Sequence, residues 1–140
     1  MSPPRRTAGF NSAEACQEAF YRAMRDGDSD LMRRAWLQSP ETTCIHPGGM
    51  PLIGYDAVIK SWITILDGGS GIRVNYEPRS RFAIDRLVIH VGLEGIKVPG
   101  DQTVVVSVTN VYELTGEGWK MRLHHGAPVQ GRPQAARPVH

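Results

Sequence analysis

The sequence predicts an α+β fold in which three N-terminal helices pack on the concave face of a cone-shaped, curved antiparallel sheet. Apolar residues repeat at helical spacing in three segments of the first half of the chain. The second half holds four long segments rich in β-branched residues, which turn residues separate. Helices followed by a meander of strands pack as two layers around one core, and 140 residues are enough for one such domain.

The first two helices are predicted from their end signals. Asn11 or Ser12 can cap the first helix, and Gly27 ends it. Asp28 then caps a shorter second helix, which ends by Pro40. Each segment carries its apolar residues on one stripe, as expected for helices that cover a sheet.

A short strand and a third helix complete the first half. Residues 42–45 are β-branched or apolar, and together with His46 they predict a strand that stops at Pro47. The third helix is predicted within residues 54–69, where the glycine pair Gly68 and Gly69 ends it.

Four strands are predicted in the second half. Turn residues separate them, so neighbours in the chain pair as hairpins. Pro78 lies inside the first of them and predicts a bulge or bend. The strands cover residues 72–84, 86–98, 103–114 and 119–129.

Composition places the folded domain at residues 11–129, after a flexible segment at 1–10 and before a disordered tail at 130–140. The formal charge is only +2 and the basic residues are scattered, which argues against nucleic-acid binding. Neither a membrane span nor a secretory signal is predicted, so we expect a cytoplasmic protein with two reduced, buried cysteines, Cys16 and Cys44.

Three pieces of the chain carry a resemblance to a known family. AFYRAMRDGD, CIHPGGMPLIGYDAVIKSW and TNVYELTGEGWKMRLHHGAPV, in this order of elements, resemble the SnoaL-like, ketosteroid-isomerase-like branch of the nuclear transport factor 2-like superfamily. The resemblance covers about residues 10–129. It implies a cone with a pocket at its open end, and a homodimer that pairs through the outer face of the sheet.

The resemblance also assigns positions to the groups of ketosteroid isomerase, which uses an aspartate base, a tyrosine and a neutral aspartic acid. The base position falls on His46, directly before Pro47, and therefore stays titratable. The tyrosine position falls on Phe20 and the acid position near Thr109. With two of three groups replaced, we do not expect steroid isomerisation by that mechanism.

An uninterrupted period of two along the last strand predicts which way its paired histidines point. His125 shares the inward face with Trp119 and Met121, so we predict that it lines the pocket. His124 then points outward, to a dimer partner or to solvent.

On the preceding strand, the resemblance matches Thr109 to the acid position, so we predict that Thr109 faces the pocket. Ser107 then lines the pocket as well. Val106, Val108 and Tyr112 are left on the outer face, where we predict that they form the dimer interface.

Four aromatic side chains are either core residues or pocket-lining residues: Phe20, Tyr21, Trp36 and Trp62. As pocket residues they would select a flat, small hydrophobic ligand. No carboxylate–histidine motif has metal-ligand spacing, so we expect no metal and no cofactor.

Two functions remain open on the sequence. One is a small-molecule-binding protein that acts as an isomerase, cyclase or dehydratase on a hydrophobic carbonyl compound, with His46 as base and with His125 and Thr109 as polar helpers. The other is a non-catalytic dimeric module for ligand binding or association.

Overall fold

A computed structural model describes residues 8–68 and 71–130 of the chain. These residues form three helices and one six-stranded sheet. The predicted elements occur in the predicted order, and the sheet has one further strand of two residues, Leu52–Ile53, that was not predicted. The elements are α1 (Ala13–Asp26), α2 (Ser29–Ala35), β1 (Thr43–Ile45), β2 (Leu52–Ile53), α3 (Tyr55–Leu66), β3 (Val74–Ile84), β4 (Leu87–Val98), β5 (Gln102–Thr115) and β6 (Gly118–Pro128).

The predicted ends of the chain, and Gly69 of the predicted end of the third helix, fall mostly outside the described residues, which exclude 1–7, 69–70 and 131–140. The last residues of the predicted N-terminal segment are described and are bonded to the sheet. Phe10 exchanges two backbone hydrogen bonds with Trp119, of 3.2 and 2.8 Å.

The helix caps confirm the end signals that the sequence shows. Ser12 Oγ accepts a hydrogen bond from the Ala15 N–H, and Gly27 ends α1 with φ of 64°. Asp28 caps α2 through its side chain. This helix ends earlier than predicted, at Ala35, because Trp36 is extended and forms a β-bridge with β6.

The sheet has the strand order β2-β1-β6-β5-β4-β3. All its pairs are antiparallel except β1 with β6, which is parallel, so the prediction of an antiparallel sheet needs correction: the sheet is mixed. The segment after α2 already runs parallel to β6, with the Leu37 N–H bonded to the Met121 C=O. The chain therefore enters β1 in the same direction as β6.

The sheet is curved and unclosed, and the three helices pack on one of its faces. The core lies between the two layers, and Phe20 is at its centre. Its ring lies 6.0 Å from Trp36 and 5.3 Å from Trp62 between centroids, both in edge-to-face geometry.

A β-bulge in β6 reverses the predicted orientation of the two histidines. Val111 pairs with Leu123 and Tyr112 pairs with Met121, so Arg122 is an extra residue. After the bulge the alternation shifts by one: His124 is 2% exposed, whereas His125 is exposed. The predictions of an inward His125 and an outward His124 were wrong, because a period of two holds only along an uninterrupted ladder.

The faces of β5 are also the reverse of those predicted. Val106, Val108 and Tyr112 are at most 1% exposed and pack inward, so they cannot form an outer interface. Ser107 is exposed and Thr109 is half-buried on the opposite face. The prediction that Thr109 and Ser107 face the pocket was wrong, because the apolar side chains of the other face follow the hydrophobic effect into the core.

Within residues 8–68 and 71–130, no helix is both long enough and apolar enough to cross a membrane.

Candidate functional site

Four polar side chains meet in the interior of the domain, between α1 and the three strands β4, β5 and β6. Tyr21, Glu94, Asn110 and His124 are 4%, 2%, 0% and 2% exposed. Buried polar groups are costly unless hydrogen bonds satisfy them, so such a cluster in a small core calls for a physical account.

The four side chains form a hydrogen-bonded chain. His124 Nδ1 lies 2.6 Å from Asn110 Oδ1, and Asn110 Nδ2 donates to Tyr21 Oη at 3.0 Å. Tyr21 Oη donates in turn to Glu94 Oε2 at 2.7 Å. An amide oxygen only accepts, so Nδ1 of His124 carries the proton and Nε2 is the acceptor nitrogen of a neutral imidazole.

The two ends of this chain face each other. Glu94 Oε2 lies 3.9 Å from His124 Nε2, which is too far for a hydrogen bond. Tyr21 and Asn110 hold the carboxyl group and the imidazole at this separation, since each is bonded to one of them.

Burial shifts the ionisation of both end groups toward their neutral forms. Desolvation lowers the pKa of His124 to about 3, with a further contribution from His46 and His125. Desolvation raises the pKa of Glu94, although the hydrogen bond from Tyr21 opposes this. The pKa of Tyr21 is raised by burial and by the Glu94 charge, so its phenol stays protonated.

Gln17 on α1 connects the cluster to the protein surface. Its Oε1 accepts from Asn110 Nδ2 at 3.2 Å and from Tyr112 Oη at 2.7 Å, and it lies 2.8 Å from His90 Nδ1. The other ring nitrogen of His90 lies 3.0 Å from Glu14 Oε2, on a side chain that is 55% exposed. The polar network therefore runs from the interior to solvent.

A cleft of about 450 Å³ opens beside the N-terminal half of α1, and Gln17, Tyr76 and His90 form part of its lining. The Tyr76 ring stacks on Tyr21 with 5.3 Å between centroids. Gly92 makes room for it, because a Cβ there would lie 2.5 Å from the Tyr76 ring. The cleft thus borders the residues that hold the buried cluster.

His46 lies at the end of β1, half-buried, on the same side of the sheet as His124. Its Nε2 is 2.6 Å from Ser61 Oγ, and its ring centroid is 4.9 Å from that of Trp62, which is 6.1 Å from His124. Burial lowers the pKa of His46. Two imidazoles do converge here, but they are His46 and His124, and the catalytic role of His46 stays a prediction.

Three of the predicted pocket residues lie elsewhere. Ser107, Thr109 and His125 line a groove of about 310 Å³ on the outer face of the sheet, together with Arg79. The sheet separates them from His46, so they cannot act with it on one ligand.

The predicted aromatic residues divide between the core and the site. Phe20, Trp36 and Trp62 are packed in the hydrophobic core and are at most 3% exposed, so they are core residues and not pocket-lining residues. Tyr21 instead supplies a phenol to the polar cluster. The resemblance placed the tyrosine position on Phe20, one residue away, and so missed this donor.

Sequence reasoning also missed Glu94 and Asn110. Glu94 lies on the buried face of β4 together with His90 and Gly92, at every second position. Asn110 shares the buried face of β5 with Tyr112. Polar residues that share the apolar face of a strand are a signal that the sequence contains. For Asn110 the signal is hidden, because the predicted phase of β5 places this residue on the outer face.

Metal ligation has no evident candidate here. Among the residues that the structure describes, no group of three or more His, Cys, Asp or Glu side chains lies close enough to hold an ion.

Comparison with known proteins identifies the family. A family model described as a SnoaL-like domain matches residues 13–130. The F-box protein SKIP8 of Arabidopsis thaliana is 29% identical over 109 residues, which are 77% of this chain and 46% of that protein. The chain therefore spans less than half the length of this relative.

Solved structures show the same fold. A proposed calcium/calmodulin-dependent protein kinase type II association domain from Thiobacillus denitrificans has a TM-score of 0.80 and 29% identity, over 87% of this chain and 98% of that one. A proposed dehydratase of the NTF2-like family from Streptomyces avermitilis has a TM-score of 0.75 and 26% identity, over 84% and 94%. An NTF2-like superfamily protein from Salmonella enterica, at 16% identity and TM-score 0.68 over 87% and 93%, shows the fold alone.

Proposed function

Because the chain belongs to the SnoaL-like domain family, we propose that it binds a small hydrophobic carbonyl compound in its interior and transfers a proton on it, as an isomerase, cyclase or dehydratase does. The fold alone supports no particular reaction, since it hosts many. One observation carries the proposal: Glu94 Oε2 and His124 Nε2 face each other at 3.9 Å in a buried, hydrogen-bonded cluster.

Glu94 is the proposed proton-transferring group. Its pKa is raised by burial, so the carboxyl group takes up and returns a proton closer to neutral pH than an exposed glutamate does. Tyr21 and Asn110 are proposed positioning residues, since they orient Glu94 and His124 through hydrogen bonds. The neutral His124 Nε2 would accept a hydrogen bond from a hydroxyl group of the substrate.

His46 remains the second proposed base. It is half-buried, and burial lowers its pKa, which favours the neutral imidazole that can accept a proton. The aromatic rings of Phe20 and Trp62 beside His124 favour a hydrophobic substrate. The cleft beside Tyr76 is the proposed entrance.

The test measures proton abstraction directly. A panel of hydrophobic ketones and β-hydroxy ketones is incubated with the protein in deuterated water, and exchange of the hydrogens next to the carbonyl is followed by NMR. We expect Glu94→Gln to lower the exchange rate by roughly 100-fold or more. Glu77→Gln, which changes an exposed carboxylate of β3 in the same way, should leave the rate unchanged.

Assignment of the base follows from the same assay. If His46 is the base, His46→Ala abolishes exchange and Glu94→Gln lowers it less. Exchange that survives in a folded Glu94→Gln and in a folded His46→Ala protein, or no exchange with any compound of the panel, would contradict the proposed reaction.

A second candidate function is a non-catalytic dimeric association module. The outer face of the sheet carries half-buried Val91, Val111 and Leu123, and Phe82 and Ile84 are 53% and 56% exposed. An apolar face of this kind favours a partner, and a second copy of the chain is the proposed occupant. The likeness to an association domain supports the same proposal.

This candidate is tested by mass in solution. Sedimentation equilibrium should give about twice the 15.5 kDa of one chain, and Val111→Glu on the outer face should give a monomer. Lys60→Glu, on the exposed side of α3, is the control and should stay dimeric. A wild-type protein that is monomeric at every concentration would contradict the association module and leave the chemistry proposed above untouched.

A further inference from the structure

A cleft of about 270 Å³ lies at the C-terminal end of α1, away from the cleft beside Tyr76. Its charged lining residues are Arg25, Arg73 and Lys97, and Asn75 adds an amide. Among the residues that the structure describes, the rest of the lining is apolar and none of it is acidic. A concave surface with three positive charges and no negative one is the electrostatic requirement for binding an anion.

The backbone brings these cations together from three elements. The Ile72 N–H donates to the Met24 C=O at 2.7 Å, which docks the segment before β3 on the last turn of α1. Arg25 therefore lies beside Arg73. On the neighbouring strand, the Lys97 N–H donates to the Arg73 C=O at 2.9 Å, so these two residues are cross-strand neighbours.

In the part of the chain that the structure describes, no ion pair balances the charges of the three cations, and only Arg25 has a favourable place on its own helix, in the last turn of α1. Within residues 8–68 and 71–130, ion pairs form at other arginines, and none involves Arg25, Arg73 or Lys97. Like charges opposite each other on neighbouring strands destabilise a sheet. The arrangement thus has a cost that an anion in the cleft would remove.

We propose that this cleft binds the phosphate group of a small phosphorylated molecule. Guanidinium groups bond phosphate oxygens through two parallel N–H donors, and Lys97 adds a further positive charge. A phosphate monoester carries a charge of about −1.5 to −2 at neutral pH, which suits three cations better than the single charge of a carboxylate. A volume of about 270 Å³ admits one phosphate group with a short substituent.

Binding is tested with glycerol 3-phosphate at constant ionic strength, followed by the backbone amide NMR shifts of residues 72–75 and 95–98. Acetate serves as the monoanionic comparison and should bind at least about tenfold more weakly. Inorganic phosphate distinguishes recognition of the phosphate group alone from recognition of the whole ester.

Variants then assign the site. Arg73→Gln and Lys97→Gln should each weaken glycerol 3-phosphate binding by about tenfold. The control is Arg22→Gln, which removes one positive charge from the exposed face of α1 outside the cleft and should change the affinity less than about twofold. The proposal is overturned if the control weakens binding as much as the cleft variants, if acetate binds equally well, or if no shift occurs.

Stability gives a second readout that needs no assigned spectrum. Without phosphate, Arg73→Gln should raise the midpoint of urea unfolding, because it removes repulsion from Lys97. Added glycerol 3-phosphate should raise the midpoint of the wild type by more than that of Arg73→Gln, because the variant binds it more weakly. Equal stabilisation of both proteins would also overturn the proposal. Neither experiment depends on Glu94, so their outcome is independent of the proposed chemistry.

Discussion

Glu94 Oε2 and His124 Nε2 face each other at 3.9 Å in the interior, although β5 separates their two strands in the sheet. Asn110 on that middle strand is directly opposite His124 in the register and bonds its ring. Tyr21 on α1 connects Asn110 to Glu94. The separation of the two titratable groups therefore depends on four elements at once, and the following predictions test that dependence.

Removing the phenol of Tyr21 should destabilise the fold. Tyr21→Phe leaves a buried carboxyl group without its donor and the Asn110 amide without one acceptor, which should cost about 1–3 kcal/mol of unfolding free energy. Tyr55→Phe is the matched control, because it removes a half-buried phenol that bonds one backbone carbonyl, that of Arg33. Urea unfolding measures the free energy of unfolding of both variants. Equal decreases would show that the buried hydrogen bonds of Tyr21 stabilise the fold no more than the single bond of Tyr55.

His124 should make the fold sensitive to acid. Its pKa is about 3 in the folded protein against 6.5 as the ordinary value, so between these values the unfolded chain binds a proton that the folded chain does not. The contribution of His124 to stability is complete above about pH 6.5 and declines on acidification, by up to ~1.4 kcal/mol per pH unit.

Glu94 acts with the opposite sign. Its folded pKa is raised, so its contribution is present at low pH and is lost as pH rises through the folded value. Unfolding free energies of the wild type, His124→Gln and Glu94→Gln should therefore be measured from about pH 7 to 4. The wild type should lose stability on acidification more steeply than His124→Gln and less steeply than Glu94→Gln. Parallel curves would show that the two groups do not titrate as described.

Both cysteines should resist thiol reagents in the native protein. Cys16 and Cys44 are free and fully buried, and burial raises the pKa of each to about 12. The thiolate that reacts is thus scarce and inaccessible. Labelling by a disulfide reagent should follow unfolding, with both thiols reacting at once in urea. Rapid native labelling of either thiol would contradict the described packing.

Gly71 should not tolerate a side chain. It adopts φ of 69°, and a Cβ there would overlap the Arg25 carbonyl oxygen. Gly48 has a similar φ of 76° and open space around the same position, so Gly48→Ala isolates the backbone strain of about 1 kcal/mol. Gly71→Ala should lower the midpoint of urea unfolding clearly more than Gly48→Ala. Similar effects would mean that the segment before β3 does not dock on α1.

The family and the helices were predictable because their signals are local. Ser12, Gly27 and Asp28 act within one turn of their own position, and the structure confirms all three. The buried state of both cysteines is also confirmed, since it follows from their place on apolar faces. The parallel pairing of β1 with β6 was missed, because it depends on where the chain lies after α2.

The candidate site was predictable only in outline. His46 was expected to meet a second imidazole, and it does lie near one across Trp62. The second imidazole was expected to be His125 and is His124. Tyr21 was considered as a pocket residue, whereas Glu94 was not considered at all.

By itself, the sequence determined the family, the order of the elements and the positions of most of their ends, because apolar spacing and capping act over a few residues. Tertiary structure decided which polar groups share the interior. The extra residue at Arg122 is a bulge only relative to the pairing partner of β6, and this pairing turns His124 inward and His125 outward. No local pattern records that choice, since it exists only once two strands are in register.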